Sequence, residues 1–248
     1  MEMEPFYEQL RETALAAFKR FNQTMEVETK RVDFPAGSID ISVVRGRLLE
    51  KAATTRIRLT TKNPETGKDT RFDVFQIKTY PANPKAPILL VNIEHRVAGD
   101  DRFGGFLDLA PVAMSRNELI PFEKGIKALT ERYGEDYELL RNKVVAMYKR
   151  DHWETALNAG IGIRLELSEE RYDLVKEAGV KWLEWYCAIL ENTSPEPFNK
   201  DEEALMYRVR SRILEFYMLQ DRSFQIIQKL GVSLETMALA HFAPTIHY

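Results

Sequence analysis

The chain has 248 residues, 44% of them hydrophobic, and carries 35 Lys+Arg against 38 Asp+Glu for a formal net charge of −3. That length holds one large domain or two small ones with a substantial core, and the slight acidic surplus argues against a general nucleic-acid binder. The single cysteine, Cys187, excludes an internal disulfide and points to a reducing compartment.

The N-terminal MEMEPFYEQLRE is acidic and lacks the apolar centre of a signal peptide. No apolar run approaches the roughly 18 residues of a membrane span. These features predict a cytoplasmic monomer with no membrane or nucleic-acid partner. The first helix is predicted over Pro5–Phe21, because Phe6, Leu10, Ala14, Ala17 and Phe21 form a stripe at helical spacing and Pro5 suits a first turn. A strand follows near Ser38–Leu48. Four more strands are read at Arg56–Lys62, Phe72–Tyr80, Pro87–Val97 and Phe103–Pro111, each bounded by turn-forming Pro, Gly, Asn or Asp. Pro64–Asp69 is a predicted hairpin turn, and Pro81–Pro87 is a second tight connection. Helices are predicted over Asn117–Tyr133 and Asp136–Leu157, divided at Gly134, and Gly160–Leu167 alternates as one more strand. Ser168 then caps a long helix with Val175, Ala178, Trp182, Trp185 and Ile189 on its buried stripe. Asn192–Asn199 is a loop, Asp201–Leu230 is helical with a break near Asp221, and Ser233 caps a last short helix. Consecutive strands on short connections pair antiparallel. The predicted fold class is therefore α+β, a three-layer α/β/α sandwich with a central antiparallel sheet and one domain over residues 1–248.

No chemistry-bearing motif is complete. The four histidines, His95, His152, His241 and His247, and Cys187 have no zinc-site spacing. His241 and His247, near the C-terminal end, read as solvated. There is no phosphate-binding glycine loop, no dinucleotide fingerprint and no nucleophile elbow; Gly104-Gly105 between strands is too weak to count as one.

What remains is polar and acid–base chemistry on the sheet. Asn92 and Glu94 are two apart on a strand and share a face with Ile88 and Leu90, while Leu89, Val91 and Ile93 take the other. A carboxylate ending an apolar row has its pKa raised by desolvation, which makes Glu94 a proton donor near neutral pH. Equally open is a solvated Glu94 paired with Arg96 or Arg102. Gln76 shares a row with Phe72 and Val74. Asp108 in LDLAP reads first as the cap of the turn after its strand, and otherwise as a substrate contact. Asp221 is either an exposed residue at a helix break or an acid aimed back at the sheet. Phe216, Tyr217 and Phe224 would supply an apolar wall. Arg141, Lys143, Lys149 and Arg150 cluster on one helix, and Arg208 and Arg212 share a helical face.

The segment order resembles the ferredoxin-dependent bilin reductases and their relative, red chlorophyll catabolite reductase. The resemblance runs through RIRLTTK, FDVFQIKTYPANPKAPILLVNIE, LDLAPV, GIRLELSEERYDLVKEAGVKWLEWY and LQDRSFQIIQKLG, roughly Thr54 to Gly231. It implies a linear tetrapyrrole held between sheet and C-terminal helices and reduced by single electrons from an external reduced ferredoxin. No bound cofactor would be needed, protons would come from side chains, and the basic clusters would dock the donor. It places Asn92 at the position of the family's acid, Gln76 at that of a His or Asn, and Asp221 at that of a C-terminal Asp or Asn. An amide at 92 cannot deliver a proton, so Glu94 would be the main donor and Asp221 the second, with Asn92 and Gln76 orienting the substrate and Asp108, Phe216, Tyr217 and Phe224 binding it. Two alternatives stay open: a catalytically silent tetrapyrrole carrier on the same fold, and a coproporphyrinogen oxidase-like enzyme acting on a closed macrocycle.

Overall fold

The computed structural model describes residues 3–62, 67–150, 153 and 161–246, the side chain of Arg222 excepted. Helix α1 (Glu4–Asn22) leads into strands β1 (Glu28–Phe34), β2 (Gly37–Val44), β3 (Leu49–Lys62), β4 (Asp69–Pro81), β5 (Ile88–Val97) and β6 (Asp101–Ala110). Helices α2 (Arg116–Arg132) and α3 (Tyr137–Tyr148) precede β7 (Ile163–Ser168), and α4 (Tyr172–Thr193), α5 (Lys200–Leu219), α6 (Arg222–Lys229) and α7 (Leu234–His241) follow. The seven strands form one sheet in sequence order, each antiparallel to the next.

The alternation along β5 divides the core in two. Leu89, Val91 and Ile93 face a cluster with Tyr7, Leu10 and Phe18 of α1, Phe122 and Ile126 of α2, and Trp182 and Tyr186 of α4. Ile88 and Leu90 face a second cluster with Val144 and Tyr148 of α3, Ile213 and Phe216 of α5, Phe224 of α6 and Met237 of α7. The α+β sandwich expected from the sequence is thus present. Five of its seven described α-helices begin where side chains satisfy free backbone N–H groups. Ser115 with Glu118 and Asn199 with Glu202 form capping boxes on α2 and α5, and Asp136, Asp221 and Ser233 cap α3, α6 and α7.

Three expectations change. The strand read near Ser38–Leu48 divides: β2 ends at Val44, and β3 starts at Leu49, well before Arg56. β1 was not foreseen, because ETKRVDF is an edge strand with mostly exposed charged positions and no apolar run. Ser168 accepts from the Glu170 N–H and so caps a 3₁₀ turn that leads into α4. The tip of the Pro64–Asp69 turn, and the expected α3 beyond Arg150 except for Trp153, lie outside the described residues. Among the described residues, no helix is long and apolar enough to cross a membrane.

Candidate functional site

Register places the site on the sheet face turned toward α3, α5, α6 and α7. Thr55, Gln76, Asn92, Phe106 and Arg164 are successive cross-strand partners, a single row from β3 to β7. On one side of it runs Ile57, Val74, Glu94 and Gly104, and on the other Ala53, Lys78, Leu90 and Asp108. A cleft of about 650 Å³ opens over this face between the sheet and the helices, with Asn92, Glu94, Phe106, Arg164, Phe216 and Asp221 in its lining.

The polar groups form a chain. The Gln76 side-chain amide donates to the Asn92 side-chain carbonyl at 2.6 Å, and the Asn92 amide donates to the Glu94 carboxylate. Burial raises the Glu94 pKa above the ordinary carboxylate value; the Asn92 hydrogen bond opposes the rise, the Asp221 charge adds to it, and Arg164 and Arg96 oppose it. The raised-acid expectation for Glu94 therefore agrees with the geometry. Glu94 is half-buried at the cleft wall, and the partner that holds its carboxylate is Asn92 rather than Arg96 or Arg102; Arg102 is engaged with Asp100 at 2.7 Å. Asp221 sits at the expected helix break but is half-buried rather than exposed. Its carboxylate accepts the Phe224 N–H at 2.8 Å, capping α6 at the break after α5, and it lines the cleft.

Gly105 makes the cleft floor possible. Its φ is +128°, and a Cβ there would stand 2.0 Å from the Asn92 carbonyl oxygen, so β5 and β6 can pair closely at this point only with glycine. The pair Gly104-Gly105 is a structural device of the sheet.

Several site assignments need correction. Asp108 does not cap a turn: it lies inside β6, fully buried, with its carboxylate against Gly162, where a Cβ would approach Oδ1 to 2.1 Å. The Pro that made LDLAP read as a turn falls just past the strand end. His241 is buried, not solvated, because α7 folds back on the sheet and sets its ring against the Lys78 ammonium group. His95 is buried on the opposite face, stacked on Phe103 and bonded to Asp101 at 2.8 Å; His152 and His247 lie outside the described residues. Of the three aromatic residues, Phe216 lines the cleft, whereas Tyr217 and Phe224 pack in the core around Lys78 and His241. The basic residues of α3 are partly engaged, Arg141 with Glu138 and Lys143 with Glu166, both at 3.1 Å.

Sequence reasoning passed over Lys51, Lys78, Tyr148 and Arg164. The two lysines are fully buried on the site's face. Lys51 donates to the Ala238 and Phe242 carbonyls at the end of α7, at 2.8 and 2.6 Å, and Lys78 lies 4.0 Å from the Tyr217 ring centroid. Burial lowers both ammonium pKa values from 10.5 to about 7. The signal was available: Phe72, Val74, Gln76, Lys78 and Tyr80 alternate on one face of β4. The Tyr148 hydroxyl is buried without a hydrogen-bond partner, and its ring packs edge-on against Phe106 at 6.0 Å and tilted against Phe216 at 4.8 Å. Among the described residues, no group of three or more His, Cys, Asp or Glu side chains is arranged to hold a metal ion.

The site is thus an antiparallel sheet face with a polar, aromatic-walled cleft beneath C-terminal helices. The sequence model of the coproporphyrinogen III oxidase family matches residues 22–239, and the chain belongs to that family. The oxygen-dependent coproporphyrinogen-III oxidase of Dictyostelium discoideum is 26% identical over 214 residues, covering 81% of this chain and 62% of that relative. The enzyme of Coxiella burnetii (strain Dugway 5J108-111) is 24% identical over 216 residues, covering 82% and 68%. The mitochondrial enzyme of Rattus norvegicus is 25% identical over 210 residues, covering 76% and 46%. The chain thus spans less than two thirds of the Dictyostelium relative.

This membership overturns the bilin-reductase resemblance and what it implied: ferredoxin as donor and partner, a linear tetrapyrrole as substrate, and reduction as the reaction. Within the segments that carried it, Tyr80-Pro81 ends β4 and Asp108-Leu109-Ala110-Pro111 closes β6, so both mark strand ends. The coproporphyrinogen oxidase-like alternative is the one the family match favours.

Proposed function

We propose that this chain binds a closed, reduced tetrapyrrole with carboxylate side chains, of the coproporphyrinogen kind, in the cleft over Asn92 and Phe106, and oxidises it with oxygen as the electron acceptor. The observation that carries the reading is that the family match over residues 22–239 takes in every element lining the cleft. The cleft's chemistry supports it. Its volume of about 650 Å³ falls within the roughly 300–1,000 Å³ typical of small-molecule sites. Phe106 and Phe216 offer aromatic faces to a flat ring, and Asn92, Glu94 and Asp221 offer oxygens to ring N–H groups. Oxidation of the ring releases protons together with electrons. Glu94, its pKa raised above the ordinary carboxylate value by burial and its carboxylate turned into the cleft, is the better placed of the two acids to accept one. Asp221 is the second acid, and Asn92, itself held by Gln76, orients the ring.

The test is incubation with coproporphyrinogen III in air, following oxygen uptake and the masses of the products. The reading requires consumption faster than the spontaneous oxidation measured with heat-inactivated protein. Equal rates would remove the catalytic part of the proposal, and a ring that also fails to bind would remove all of it.

A further inference from the structure

The cleft carries charges of both signs, unequally shared. Glu94, Glu166 and Asp221 are its acidic lining residues, and Arg164 is its only basic one among the described residues. Glu166 is engaged by Lys143 at 3.1 Å, and Lys78 is buried against His241. Arg164 sits on the edge strand β7, is exposed, and makes no hydrogen bond or ion pair with any described residue. A guanidinium presents five donors in a planar fork that matches a carboxylate at two points. Among the described residues, nothing in the packing of β7 uses that fork, because Ile163 and Leu165 bury on the other face.

Position gives the free fork a purpose. Arg164 ends the cross-strand row that runs through Asn92 and Phe106. Adjacent strands lie about 4.8 Å apart, so Arg164 stands about 10 Å across the sheet from Asn92 with the Phe106 ring between them. A ring lying on Phe106 with its N–H groups toward Asn92 and Glu94 would extend its peripheral side chains toward β7.

Resting on the function proposed above, we infer that Arg164 is the carboxylate anchor of this site, gripping one peripheral carboxylate of the macrocycle and so fixing how the ring is turned in the cleft. It acts in binding and orientation and takes no part in proton transfer. Of the lining carboxylates, Glu166 on β7 is engaged by Lys143 at 3.1 Å, whereas Glu94 beside Asn92 and Asp221 at the start of α6 would repel a side-chain carboxylate, which favours the β7 side.

Equilibrium binding of coproporphyrin III, the air-stable oxidised ring, followed by porphyrin fluorescence, tests this beside its methyl ester in the same dilute detergent. Wild type should bind the free acid more tightly than the ester. Arg164→Gln should weaken the free acid about tenfold or more, the loss expected for one charge-assisted contact, and leave the ester unchanged, which also shows that the variant is folded. Arg164→Lys, which keeps the charge and loses the fork, should recover part of the affinity. Unchanged acid binding in Arg164→Gln would overturn the anchor while leaving the cleft as the ring site. Equal loss of acid and ester would overturn it too, since a charge-assisted contact to a carboxylate is far stronger than a neutral one to an ester carbonyl. If wild type binds neither ligand, the cleft reading itself falls and this inference falls with it.

Discussion

Lys78 allows a quantitative test of how the site's floor is built. Its ammonium group is buried between the sheet, Tyr217 and His241, and desolvation, the largest influence, lowers its pKa from 10.5 to about 7, with Asp221 opposing and Lys51 adding to the fall. Because the folded value is the lower one, the unfolded chain binds more protons between pH 7 and 10.5, and stability rises with pH across that window. The group costs nothing above 10.5, and its full penalty, about 5 kcal/mol from the gap between the two values, is reached below 7. Between pH 7 and 9 the linkage amounts to about 2 kcal/mol for Lys78, and a similar amount for Lys51, whose pKa is also lowered to about 7. His241 is held well below its ordinary value by burial and by Lys78, so it stays neutral in this range and adds no slope. Lys78→Met keeps the length of the side chain and removes the charge. Urea unfolding at pH 7, 8 and 9 should show the variant losing about half of the wild-type rise. At pH 7 it should be the more stable protein, by about 2 kcal/mol after allowing roughly 1–2 kcal/mol for the lost contact with Tyr217. Parallel pH profiles for the two proteins would mean that Lys78 titrates near 10.5 and would refute this account of the buried row.

Glu94→Gln should lower the oxidation rate about 100-fold or more while the ring still binds, as expected when a general base becomes an amide. Because burial raises the Glu94 pKa, its stabilising contribution is complete below the unfolded value and lost as pH rises through the folded one, so urea unfolding at pH 8 should find Glu94→Gln no less stable than wild type. Asp221→Asn keeps a good cap on α6 and should leave stability nearly unchanged, whereas Asp221→Ala should cost about 1 kcal/mol. Removing the Asp221 charge should also move the acid limb of the pH–rate profile to lower pH, since that charge helps to raise Glu94. Gly105→Ala forces a Cβ to within 2.0 Å of the Asn92 carbonyl oxygen at φ +128°; a loss of at least about 1–3 kcal/mol in urea, with loss of ring binding, is expected, and a variant that binds normally would show that β5 can shift without disturbing Asn92.

Local alternation made much of the fold legible. The run from Ile88 to Glu94 assigns both faces of β5 correctly, and the capping residues Ser168, Asp221 and Ser233 fall where helical turns begin. The β1 edge was not legible, since its charges meet solvent and leave no apolar period. The burial of Asp108 and His241 was not legible either, for a different reason. It is set by contacts between elements far apart in the chain: His241 reaches Lys78 across 163 positions, and Asp108 is covered by the approach of Gly162. A polar residue in a strand is read as solvated until the element that covers it is known. The same limit explains the mistaken family: strand-end motifs report connections between strands, whereas the occupant of the cleft depends on which side chains the register brings into one row.

That row also explains why so much polar surface is tolerated beneath the helices. Buried polar atoms without partners are costly in a folded chain. Yet the Gln76 side-chain carbonyl, the Tyr148 hydroxyl and the Gln220 side-chain carbonyl all lack one. All three belong to the cleft's surroundings: Gln220 lines it, Gln76 holds Asn92, and Tyr148 packs on Phe106 and Phe216. On the opposite face, Thr79 meets Tyr186 at 2.7 Å and Arg56 meets Asp73 at 2.7 Å, while the Thr54 hydroxyl and the Trp182 indole N–H also lack a partner among the described residues. Two of the three atoms around the cleft are carbonyl oxygens, which can only accept, and a ligand that completes them must bring N–H donors. A reduced tetrapyrrole does so on its inner edge and carries carboxylates on its outer edge, where Arg164 lies free. The ligand class proposed above thus matches both the acceptors near the middle of the sheet and Arg164 at its edge.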